Sequence, residues 1–157
     1  MNRTLQISKE TGATKLWRFE PWLIRFILLA PALVFTVISV RFITDPLRAA
    51  ASGFAADSAV GLTNLRSGIG GLFLGSACVI VFCLLSARRL LFGLGFLATM
   101  IGVVLGVRIV SVVADGTAGA NLPVLGAEGV FLVLSVIGIF LETRRQRLEN
   151  AGAWQRA

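Results

Sequence analysis

The chain of 157 residues has no histidine and no tyrosine, only two cysteines, and 15% charged residues against 56% hydrophobic ones. Without imidazole, bis-histidine haem ligation, histidine-based zinc sites and histidine general-base catalysis are excluded within this chain. Cys78 and Cys83 stand five residues apart, which at 100° per residue places them roughly 140° apart around a helix. They therefore face different ways, lack the C-x-x-C spacing of a thiol oxidoreductase, and read as packing residues. No nucleophile, base and metal-ligand set can be assembled from the remaining residues. No catalytic residue, metal or cofactor is expected, and the chain is read as a non-enzyme.

What is abundant is hydrocarbon. A mean hydropathy of +0.85 exceeds what a soluble domain can bury, and identifies an integral membrane protein. Four apolar stretches, Trp22 to Val40, Leu65 to Ala87, Leu90 to Ala114 and Leu122 to Leu141, have the length of roughly 17 to 25 residues that a helix needs to cross a bilayer. Their runs lack the alternation of a barrel strand, and an open sheet leaves its backbone unsatisfied in lipid. The expected fold is all-α, a four-transmembrane-helix bundle. It divides into a polar leader (1–21), a four-helix membrane domain (22–142) and a basic tail (143–157), with no folded domain outside the membrane. The first stretch is too long, and its polar leader too extended, for a cleavable signal, so it reads as a retained helix. Accordingly "AAASGFAA" after it is taken as a short amphipathic segment. Asp45 as N-cap, Pro46 at the first helical position and Gly53 as terminator predict a short interfacial helix there.

The basic residues set the orientation. Arg3, Lys9, Lys15, Arg18 and Arg25 precede or open helix 1; Arg88 and Arg89 lie between helices 2 and 3; Arg144, Arg145, Arg147 and Arg156 follow helix 4. Only Arg41, Arg48 and Arg66 fall on the opposite side, so both termini are expected in the cytoplasm. Trp17, Trp22 and Trp154 then sit near the cytoplasmic headgroups. The same distribution accounts for the net charge of +7 without nucleic acid, because the charges flank membrane spans instead of forming one basic domain. Membrane lipids are the expected contacts, with weak attraction to anionic headgroups.

Within helix 3, Ile101, Val104, Arg108, Ser111 and Asp115 share one face at spacings of three and four. A lone arginine in hydrocarbon costs a few kcal/mol or more, so Arg108 requires a partner. Helices 3 and 4 form an antiparallel hairpin through "DGTAGANLP". Arg108 lies about 10 Å from the Asp115 end, and Glu128 about 9 Å into helix 4, at 1.5 Å per residue. The two are level. Arg66 is slightly shallower, so Asn64, Arg66, Arg108, Ser111, Asp115 and Glu128 are expected to form a polar cluster or ligand site in the outer half of the bundle. Glu128 is the first candidate counter-ion, Asp115 the second, and Arg66 a competitor for Glu128. Two small-residue stripes, Ser67, Gly71 and Gly75 on helix 2 and Ala98, Gly102 and Gly106 on helix 3, are expected to be helix-packing faces.

"NLRSGIGG", "GVRIVSVVADG" and "GAEGVFLVLS", with "TDP" after helix 1, resemble an uncharacterised family of small four-helix bacterial integral membrane proteins, a domain of unknown function. The resemblance covers about Leu23 to Glu142. It implies that Asn64, Arg66, Arg108, Ser111, Asp115, Gly116 and Glu128 occupy signature positions, with Val107 where the family more often has glycine. It implies a multi-pass protein of the cytoplasmic (inner) membrane, and no reaction. The residues favour a structural or accessory membrane protein that uses the cluster to fix helix packing or to bind lipid, a second copy or another membrane protein. The alternative is a small transporter or lipophilic-ligand binder with Glu128 as a proton or cation site. Against it stand the lack of an inverted repeat and of a helix broken at mid-depth.

The charge distribution makes a direct prediction. A reporter active only outside the cytoplasm, fused to Ala157, is expected to stay silent; a strong signal from correctly inserted protein overturns the orientation.

Overall fold

The computed structural model describes the backbone of residues 3–50, 58–116 and 118–154, and the side chains of 22–48, 58–116, 119 and 121–151. The described residues are helical, without a strand, as hydrocarbon requires of a chain whose backbone groups have only one another as partners. In order they form α1 (Arg3–Thr44), α2 (Pro46–Ala50), α3 (Ala59–Asn64), a π-helical segment (Leu65–Gly71), α4 (Leu72–Leu84), a single 3-10 turn (Ala87–Arg89), α5 (Leu90–Asp115) and α6 (Ala118–Trp154). Four stretches are long and apolar enough to cross a membrane: Trp22–Thr44, Ala59–Leu84, Ala87–Asp115 and Asn121–Ala151. The chain is a multi-pass membrane protein.

Local chemistry explains where the helices start and stop. The Asp45 carboxylate accepts the Arg48 N–H at 3.1 Å, so α2 opens at Pro46 with its first turn capped; Gly53, its expected terminator, lies outside the described residues. The second span begins at Ala59 rather than Leu65, because the Ser58 hydroxyl accepts the Gly61 N–H at 3.1 Å from an extended backbone. Thr63, though polar, stays helical by donating to the Ala59 carbonyl at 3.0 Å. At the far end of α5, Gly116 adopts φ +66°, a left-handed conformation that only glycine reaches cheaply and that ends the helix. Most of the expected "DGTAGANLP" connection is helical, since α6 already begins at Ala118. It then runs unbroken through the basic segment to Trp154.

The core lies toward the end that carries Arg88 and Arg89. Ile24 and Leu28 of α1, Ile80 and Cys83 of α4, and Leu90, Leu94 and Leu97 of α5 are fully buried there. The α1–α4 contact continues further along the bundle, where Phe35 and Phe73 stack with ring centroids 5.2 Å apart and the Ser39 hydroxyl donates to the Gly70 carbonyl at 2.8 Å. Beyond Ile101 the picture changes. From Gly102 to Gly116 on α5, and from Asn121 to Leu134 on α6, no described residue is buried. That half of the α5–α6 hairpin is held by contacts between its own two helices.

The small-residue stripes do not pack as expected. A Cβ built on Gly71, Gly75 or Gly106 would meet nothing within 4 Å, and one on Gly102 only Leu132 at 3.8 Å. Ser67 is exposed and Ala98 half-buried. The close approaches are instead at Gly70, Gly93 and Gly138, where an added Cβ would lie 2.8 Å from Ile43, 2.8 Å from the Cys83 Cβ and 3.3 Å from Leu28, and 2.8 Å from Leu94, respectively. The cause on the second span is the π-helical segment, whose wider turn shifts the phase of every residue after it relative to a 100° wheel. On α5 the packing glycine is a single residue near the start, outside the stripe.

Gly93→Ala is therefore expected to destabilise the bundle by about 1–3 kcal/mol, because a methyl group cannot share space with the rigid Cys83 Cβ. Gly71→Ala should be neutral or stabilising by up to about 1 kcal/mol from helix propensity alone. Thermal unfolding in detergent distinguishes the two, and equal loss of stability in both would count against Gly93 as the contact point.

Candidate functional site

Arg108 on α5 and Glu128 on α6 face one another across the hairpin. Arg108 Nε donates to both Glu128 carboxylate oxygens, at 3.1 and 3.0 Å, and Nη2 donates to Oε1 at 2.9 Å. The planar guanidinium edge thus matches the carboxylate in a fork, the strongest geometry available to an arginine–carboxylate pair. The third nitrogen, Nη1, lies 3.5 Å from Asn121 Oδ1. Among the described residues Glu128 is the one carboxylate in ion-pair range of Arg108. The side chains remain 32% and 17% exposed, so the pair is half-buried between the helices and not sealed in a core. Its value lies between that of a surface pair, up to about 1 kcal/mol, and that of a buried one.

Next to this pair runs an open groove of about 440 Å³, lined by Val103, Val104, Val107, Arg108, Ser111, Val112, Asp115 and Asn121. The face of α5 that carries Arg108, Ser111 and Asp115 forms its polar rim, and the valines its floor. Ser111 and Asp115 are exposed, and Asp115 lies two helical turns from Arg108, out of contact with it. Glu128 does not line the groove, whereas Arg108, which holds its carboxylate, does.

The structure thus brings together Arg108 and Glu128, and sets Ser111 and Asp115 along the same groove. It leaves Asn64 and Arg66 outside. Both are exposed, at the junction of α3 and the π-helical segment. That part of the second span packs against α1, through Gly70, Ile43 and Ser39, and so carries Arg66 away from Glu128. Asn121 is the groove residue that the sequence reading missed. Its signal was present, since it precedes Glu128 by seven residues and so shares its face.

A second charged group lies near the other end of α6. Glu142 and Arg145 are buried, at 0% and 8% exposure. Glu142 Oε1 accepts from Arg145 Nη2 at 2.8 Å and from Gln146 Nε2 at 2.9 Å. Arg145 Nε also lies 3.5 Å from Glu149. The spacings of three and four in "ETRRQRLE" are the pattern by which a helix pairs its own charges. No three histidine, cysteine, aspartate or glutamate side chains converge on a metal-sized point among the described residues. Comparison of the chain with protein-family models, curated proteins and solved structures finds no match.

The ion pair is tested by a double-mutant cycle. Arg108→Ala and Glu128→Ala should each destabilise the protein in detergent, and the double replacement should cost less than their sum, with a coupling energy of about 1–3 kcal/mol. The exchange Arg108→Glu with Glu128→Arg should recover part of what Arg108→Glu alone loses. Additive losses with no rescue would mean that the pair does not couple the helices.

Proposed function

We propose that this chain is a non-catalytic accessory protein of the cytoplasmic membrane, in which the Arg108–Glu128 pair holds the outer half of the α5–α6 hairpin in the shape that receives a membrane-embedded partner. The observation that carries this reading is the position of Glu128. Both of its carboxylate oxygens are taken by Arg108, and Arg108 lines the groove while Glu128 does not. A proton or cation site needs a carboxylate that the transported species can reach. A helix clasp needs the arrangement found.

The partner half of the proposal rests on what the hairpin leaves uncovered. No described residue of its outer half is buried by the rest of the chain, and the fourth span has the smallest buried share of the four. Val107 is 62% exposed and lines the groove together with Arg108, Ser111, Asp115 and Asn121, polar groups that lipid tails cannot satisfy. A membrane protein or a second copy of this chain, offering polar groups to Ser111, Asp115 and Asn121, would cover both.

A photo-crosslinking residue at Val107, in the groove, is expected to give a discrete protein adduct in native membranes, its mass distinguishing a second copy from another protein. The same residue at Phe92, which is 68% exposed on the other half of α5, should give lipid adducts alone. Arg108→Ala should weaken the Val107 adduct. Identical lipid-only labelling at both positions would remove the partner reading. Proton or cation flux through wild-type proteoliposomes that Glu128→Gln abolishes would replace it with transport.

A further inference from the structure

At the end that carries Arg88 and Arg89, Arg25 presents a different electrostatic situation from that of Arg108. It lies in the first turn of the first span, which begins at Trp22, the depth at which lipid headgroups meet hydrocarbon. Its guanidinium carbon sits 5.4 Å from the centroid of the Trp22 ring. Its Nε is buried and has no hydrogen-bond acceptor, and no carboxylate among the described residues pairs with it. The indole holds the cation in place through its π face but accepts none of its N–H groups. A guanidinium carries five donors in a fixed fork, and leaving even one of them unmet away from water is costly.

Beside Arg25 opens a cleft of about 210 Å³, lined by Trp22, Arg25, Phe26, Leu29 and Leu84. Its walls are wholly apolar, Arg25 contributing the hydrocarbon stem that carries the guanidinium. They follow α1 from Trp22 to Leu29, with Leu84 of α4 on one side. This space exceeds the roughly 150 Å³ cavity that accepts a benzene molecule. The surroundings add positive charge. Arg88, Arg144 and Arg147 are exposed at the same end, Arg89 lies 4.1 Å over the Phe82 ring, and the nearby carboxylates Glu142 and Glu149 are both engaged by Arg145.

We propose that this cleft between α1 and α4 is a binding site for an anionic phospholipid, with the phosphate on the Arg25 guanidinium and an acyl chain along Phe26, Leu29 and Leu84. Phosphate oxygens meet the donor fork bidentately, as no neutral headgroup oxygen does with equal strength. The excess of cations at this end disfavours a cationic or neutral occupant relative to one of net negative charge. The amphipathic form of the site, a charge at the headgroup level and a greasy slot below it, fits a lipid and excludes inorganic phosphate as the natural occupant.

Trp22 is a built-in reporter. The full chain carrying Trp17→Phe and Trp154→Phe, reconstituted in vesicles that mix phosphatidylcholine and phosphatidylglycerol, should show stronger quenching of Trp22 when the brominated chains are on phosphatidylglycerol than when they are on phosphatidylcholine at the same mole fraction. One arginine near the surface corresponds to a preference of about fivefold. Arg25→Gln should reduce it to near one, and Arg25→Lys should keep part of it, which guards against misreading a folding defect. Arg144→Gln, which removes the same charge from the exposed helix at that end, should leave the preference intact. Added inorganic phosphate should not compete. Equal quenching by the two lipids in the parent chain, a preference that survives Arg25→Gln, or an equal loss in Arg144→Gln overturns the site.

Discussion

Hydrocarbon offers no hydrogen bonds, and that constraint underlies nearly every polar contact in this molecule. The backbone meets it by remaining helical through the spans. Hydroxyl groups meet it by turning back onto carbonyls one turn earlier, as Thr36 does to Ala32, Ser76 to Leu72 and Ser135 to Phe131. Ser39 is the exception: its hydroxyl reaches the Gly70 carbonyl on another helix, possible because Gly70 lets the α1 backbone come close. Arg108 and Glu128 obey the same rule at higher stakes, since each is tolerated at its depth by the other's presence.

The constraint is satisfied in two different ways along the bundle. Toward Arg88 and Arg89 it is satisfied by exclusion: Gly93 sits against Cys83 and Leu28, Gly138 against Leu94, and apolar side chains fill the space. Toward Asp115 the α5–α6 hairpin stands without such a core and is clasped by a fork of charged hydrogen bonds. A glycine contact sets which faces of two helices meet, through shape alone. A bidentate ion pair instead sets both separation and rotation. The half of the hairpin with fewer packing contacts is thus the half whose geometry is specified by direction, as a surface for recognition would require.

The arginines also differ in kind. Arg108 and Arg145 have carboxylate partners within the chain. Arg25 has an aromatic ring and an apolar cleft. A cation already neutralised serves the architecture of its own helices, whereas one without a carboxylate partner among the described residues and with a buried N–H unmet is left to what the bilayer supplies.

Composition and periodicity by themselves determined the class of this protein, its four spans, the short helix capped by Asp45, and the level placement of Arg108 and Glu128. All of these follow from counts along the chain: residues per bilayer thickness, rise per residue, side chains per turn. The tertiary structure decided what depends on which helix lies beside which. Arg66 lay only slightly shallower than Glu128 by the same count, but the packing of the second span on α1 carried it elsewhere. Gly71 and Gly75 had the spacing of a packing face, but a π-helical turn brought Gly70 to the contact instead. Arg145 belongs by sequence to the basic tail and is buried with Glu142, because α6 continues past the point where its apolar run ends. Depth along a membrane normal can be read from one dimension; rotation about a helix axis and choice of neighbour cannot, since both are set by the close packing of side chains from different parts of the chain.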